Sequence, residues 1–161
     1  MDDNWDNKLH EIWDSFGTMS DEMLIENIKL HIGNLNIQDN SIAKFELACA
    51  YDSTGNEALA EGLYRDALAI GLTGLRRRRA RIQLASTLRN NGKIDESITI
   101  LKEEKEKYSD ELNDAVDGFL ALSLAAKGFD KEALSIALKA LSSHLKRYNK
   151  SLYTYANALN N

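Results

Sequence analysis

The sequence predicts an all-α protein of stacked antiparallel helix pairs, about nine helices in all, and three observations predict it. The 161-residue chain contains no proline and is rich in Ala, Leu, Glu and Lys, which favour helix. One figure recurs three times, as Leu47-Ala48-x-x-Tyr51, Leu84-Ala85-x-x-Leu88 and Leu120-Ala121-x-x-Leu124. Each figure is followed by a glycine (Gly55, Gly92, Gly128) eight residues after its leading leucine, and by a small residue (Ala60, Ser97, Ala133) 13 residues after it. Self-similarity at a fixed period is the signature of a repeat architecture.

The spacing has a physical cause. Leu47, Ala48 and Tyr51 share one helix face, as do Ala60, Tyr64 and Ala67 at i, i+4 and i+7. Gly55 stands between them, where a helix can end at positive φ at little steric cost. Small Ala60 lets the two axes approach. The leading leucines recur after 37 and then 36 residues, so the slack lies between hairpins and not inside them.

Taken in order, Trp5, Leu9, Ile12, Trp13 and Phe16 make one broad apolar stripe on a first helix that ends at Gly17. Ser20 is placed to cap a second helix, with Asp21 and Glu22 in its first turn and Leu24, Ile28 and Ile32 inward, stopping at Gly33-Asn34. This pair, residues 1–40, reads equally as a degenerate repeat or as a lid on the stack. Three hairpins fill 41–147, with helices expected at 41–54 and 57–71, then one capped by Thr73 and running to Asn91, and one at 94–108. Ser109 is the expected cap of the next helix, to Lys127, and Asp130 of the one through Lys146. Residues 148–161 carry a closing helix at 151–159, with Leu152, Ala156 and Leu159 on one face. The three segments together are read as one domain.

These residues resemble the tetratricopeptide repeat family, whose signature runs W-x2-L-G-x2-Y, then A-x3-F, then P. The resemblance covers roughly residues 41–141. It departs in a longer spacing, in the absence of proline, and in Lys44, Arg81 and Asp117 standing where the signature opens with Trp. It implies a right-handed superhelix whose first helix in each hairpin lines a concave peptide-binding groove. Carried over, the first hairpin offers Ile42, Phe45, Cys49, Asp52 and Ser53, and the second offers Arg79, Ile82, Ser86, Arg89 and Asn90. The third offers Ala115, Gly118, Leu122, Ala125 and Ala126. Family members that grip a C-terminal carboxylate use Lys, Asn and Arg; the matching places here hold Phe45, Cys49, Gln83, Ala115 and Phe119, which argues against that ligand.

Composition narrows the function further. A net charge of −5 argues against a general nucleic-acid binder, and no run approaches a membrane span. A single cysteine cannot form an internal disulfide, so a reducing, cytoplasmic setting is expected. His10, His31 and His144 have no ligand-type partner at helical spacing, and the glycines are spaced as helix stops, not as a phosphate loop. Glu103, Glu104 and Glu106 read as a solvated run. No catalytic residue, metal site or cofactor is expected.

The unusual stretch is Arg76-Arg77-Arg78-Arg79-Ala80-Arg81. At about 100° per residue these guanidiniums fan around the helix and cannot form one flat patch. Arg77 and Arg81 fall on the side of Leu84 and Leu88; Arg76 and Arg79 fall opposite, in line with Gln83, Ser86 and Asn90. Either several pair with Asp66, Glu103 or Glu104, or they make an anion-seeking wall, nucleic acid being the least favoured target. The favoured reading is a non-catalytic scaffold for a protein or peptide of acidic–apolar character, with Phe45, Cys49, Asp52, Arg79, Ile82, Gln83, Ser86, Arg89, Asn90 and Leu122 lining the groove. The alternative is self-association through Trp5, Trp13 or the Leu152 face.

Overall fold

The computed structural model describes residues 3–33 and 35–160, and among them the chain is helical with no strand. The expected acidic start at Met1-Asp2 and the Asn34 half of the second helix stop lie outside the described residues. The chain divides into two compact units, Met1–Ala80 and Arg81–Asn161.

The first unit opens with α1 (Asp3–Asp14) and α2 (Asp21–Ile32). Ser20 caps α2 as expected, its Oγ accepting the Met23 N–H at 3.3 Å. The hairpin α3 (Ser41–Ser53) and α4 (Glu57–Ala69) follows. Asn40 Oδ1 accepts the N–H groups of both Ile42 and Ala43 at 3.0 Å and starts α3. Where α3 packs on α4, Phe45, Ala48, Ala60, Tyr64 and Ala67 are fully buried. Leu24, Ile28 and Ile32 of α2 join Leu9, Ala43, Leu47 and Ala50 in one apolar cluster, so the N-terminal pair shares the hairpin's core.

The division between the units falls within α5 (Gly74–Asn90). The second unit continues with α6 (Ile94–Lys107), α7 (Asn113–Ala126), α8 (Asp130–His144) and α9 (Asn149–Ala158). In it α7 packs on α6 and α8, and α9 packs on α8 with Ala156 fully buried. Ser97, in place of the repeat's alanine, is buried too, and its Oγ lies 2.8 Å from Ser123 Oγ on α7. Two hydroxyls facing each other satisfy one another, which makes the polar substitution tolerable in a core.

The glycine spacing has a common structural origin. Gly55, Gly92 and Gly128 stand at φ of +73°, +79° and +89°. The next residue's N–H (Asn56, Lys93, Phe129) reaches back to the carbonyl of Tyr51, Leu88 or Leu124 at 2.8–2.9 Å. The third apolar position of each figure is therefore also the acceptor of a Schellman bond, which fixes the turn length.

Three starts differ from expectation, the simplest being α9, which begins at Asn149, two residues before the expected 151. Ser109 does not cap α7, which begins at Asn113 with Leu112 before it. Asp110 Oδ1 accepts the Leu112 N–H at 2.9 Å and holds residues 109–112 in a turn of their own. Asp130 is the first residue of α8, after Phe129, and acts through its charge in the first turn, not as a side-chain cap.

Candidate functional site

The positions that lack the opening Trp carry ion pairs. Lys44, 8% exposed, places its Nζ 2.8 Å from Asp66 Oδ2. Arg81 Nη2 lies 2.6 Å from Glu103 Oε2, and both pairs span the same 22 residues. Arg81 Nε also meets Glu104 Oε1 at 2.9 Å. Glu104 is fully buried, against its expected place in water, because it turns inward to this guanidinium. In the third hairpin the sign is reversed, and Asp117 pairs with Lys105 of the preceding helix.

A site that could hold a ligand lies in the first unit. A cavity of about 620 Å³ is walled by α1, the start of α3, and residues 72–79 leading into α5. Leu9, Trp13, Ile42, Leu72 and Leu75 give it apolar lining, and Asp6, His10, Ser41, Glu46, Thr73, Arg76 and Arg79 its polar groups. Arg76 crosses from α5 to both other walls. Its Nε donates to Glu46 Oε1 of α3 at 3.1 Å, and its Nη2 pairs with Asp6 of α1. Its guanidinium also sits 5.9 Å from the Trp5 ring centroid.

Charge in the cavity is unevenly satisfied. Glu46 is 1% exposed, and burial raises its carboxyl above the usual range, opposed by Arg76, Arg79 and Trp13. Burial works against the Arg76 charge, and the Asp6 and Glu46 carboxylates outweigh it and hold the guanidinium above its usual value. Arg79 is exposed and lies 5.3 Å over the Phe45 ring. Beneath, the Cys49 thiol is pushed up to about 12 by burial and then by Glu46. Burial likewise raises Tyr64, whose hydroxyl donates to Asp52 Oδ2 at 3.3 Å.

Of the residues read from sequence as groove lining, Ile42 and Arg79 are at the cavity. Phe45, Cys49 and Ile82 are buried, between 0% and 4% exposed, so they offer no free side chain to a ligand. Phe45 is covered by Arg79 and packs on Tyr64, its ring centroid 6.2 Å away. Asp52 is taken by Tyr64, and Arg89 Nη2 donates to Asn90 Oδ1 at 3.0 Å. Gln83 and Ser86 are half-buried on α5, and Leu122 is exposed on α7 of the second unit. The Arg run also sorts differently from expectation. Arg78 is its buried member at 3% exposure, Arg76 is half-buried, and Asp66 pairs with Lys44. Sequence reasoning missed Asp6, His10, Trp13, Glu46 and Arg76 as lining. The available signal was an acidic residue, Asp6, on the edge of an aromatic stripe in a chain with a local arginine run at 76–81.

Among the described residues no group of His, Cys, Asp and Glu could hold a metal, and no helix is long and apolar enough to cross a membrane. Paired helices of one repeating pattern, with a cleft walled by first helices, define a helical-repeat protein. The chain belongs to the tetratricopeptide repeat family, whose model matches residues 41–159. It is similar in structure to a Podosopora anserina protein that carries the kinesin light chain name and has nearly identical TPR-like repeats. That crystal structure has 15% identity and a TM-score of 0.66, over 98% of this chain and 95% of that one. A single-substitution variant of it gives 17% identity and a TM-score of 0.71, over 98% and 86%. No curated protein matches the sequence. The family generally serves as a scaffold for protein–protein interaction and is typically non-catalytic.

Proposed function

We propose that the chain is a non-catalytic scaffold that binds an extended peptide segment in the cleft of α3 and the start of α5, at whose edge α1 lies, and that it works in the cytoplasm. The segment pairs a carboxylate with apolar side chains. The observation that carries this reading is Arg79: it lines the cavity, is exposed, and has no carboxylate in ion-pair range among the described residues. Ile42, Leu72 and Leu75 supply apolar wall beside it. A charge-assisted hydrogen bond to Arg79 contributes roughly 1.5–3 kcal/mol, and the apolar wall supplies affinity without further charge.

The test is a titration with labelled peptides in which a Leu-Phe pair is flanked by Glu, Gln or Lys. The Glu series is expected to bind best, and Arg79→Ala to erase its advantage over Gln. Equal binding of all three series sinks the reading. Self-association is the second reading, and Leu134 and Leu141, both 49% exposed at i and i+7 of α8, favour it. Sedimentation across a hundredfold range of concentration separates the two. Of the side chains expected in that role, Trp5 and Trp13 are half-buried in the first unit and Leu152 is half-buried on α9.

A further inference from the structure

The cavity just described has an occupant of its own chain at its edge. Asp6 presents a carboxylate to Arg76, and Leu9 and Trp13 of the same helix present apolar side chains to α3. This is the chemistry assigned above to the peptide: one carboxylate with apolar neighbours, on the same arginine wall. Meanwhile α1 is weakly committed to its place. Among its residues of described burial, Leu9 alone is buried. One ring nitrogen in its footing, His31 Nε2 beneath Trp5, is buried without a hydrogen-bond partner among the described residues. Unsatisfied buried polar groups make a docked state costly, so its closure leans on the ion pair.

We propose that α1 is an internal competitor for the cleft: Asp6 holds at Arg76 the place of a second ligand carboxylate, beside the one that Arg79 takes, and an incoming peptide lifts α1 by replacing it. This rests on the peptide-binding reading and adds its regulation. Glu46, buried on the opposite side of Arg76, keeps the guanidinium in position when Asp6 leaves. The ligand therefore meets a fixed cation, not a mobile one. Removing the Asp6 charge favours the lifted state without touching α3, α4 or Arg79.

The experiment uses the full chain and its Asp6→Asn variant. Hydrogen exchange comes first: α1 amides are expected to exchange at least tenfold faster in the variant, with α3 and α4 unchanged. A labelled synthetic peptide of residues 3–16 is then titrated into both chains. Because tethering gives α1 a high effective concentration, the peptide is expected to bind the wild type at least tenfold more weakly than the variant. The same peptide carrying Asp6→Asn should lose that binding. Unchanged α1 exchange, or equal binding of the native peptide to both chains, overturns the proposal. The Glu-flanked peptides distinguish the two ideas. If they bind both chains equally, competition fails while peptide recognition stands. If they bind neither although α1 is released, peptide recognition fails as well.

Discussion

Cys49 shows how burial decides a residue's chemistry. It is 2% exposed at the heart of α3, and its thiol is held at about 12, so at neutral pH almost none is thiolate. A thiol reagent should therefore react with the native protein only as fast as the first unit opens, with rates that track urea concentration. Prompt labelling in native buffer would place the thiol at a surface and contradict the packing. Glu46 makes a second residue-scale prediction. Its carboxyl is raised by burial above the ordinary value of 4.5, so the folded state holds its proton more tightly than the unfolded state does. Its contribution to stability is fully present below about pH 4.5 and is lost as pH rises through the folded value. Compared with wild type, Glu46→Gln should grow relatively more stable from pH 4 toward 7, read as the difference between urea midpoints. A difference that stays flat with pH would mean that Arg76 fully compensates the burial.

At the scale of the element, the glycines separate two physical roles. Gly92 ends α5 at φ +79°, and a Cβ there would meet nothing within 4 Å, so its requirement is conformational alone. Gly62 sits inside α4 with equally open space but ordinary helical φ. Gly92→Ala should cost about 1–2 kcal/mol, and Gly62→Ala should stabilise by about 0.5–1 kcal/mol. Melts that move the same way for both would refute the turn geometry. The same contrast explains what was legible in the sequence. The hairpins were readable because Leu47, Gly55 and Ala60 act within one local figure whose hydrogen bonds close over five residues. The cleft was not, because its Asp6–Arg76 contact joins residues 70 apart and no periodicity carries that information. The start of α7 was misplaced for a smaller reason: Asp110 satisfies a local turn that competes with the helix.

At the scale of the molecule, the arginine run does two jobs in two units. In the second unit Arg81 compensates Glu104, which is fully buried, so Arg81→Ala leaves a buried carboxylate without that partner. The expected loss is roughly 3 kcal/mol of stability. In the first unit Arg79 rests over Phe45 and faces the cleft, so Arg79→Ala should cost less than about 1 kcal/mol. Repeat architecture permits this division of labour, since each hairpin is stabilised chiefly by its own packing and its neighbours'. The most direct test is therefore Arg79→Ala, followed by thermal melt and by titration with the Glu-flanked peptide. The account predicts a near-native melt with binding weakened at least tenfold; a chain that loses its stability and keeps its affinity would contradict it.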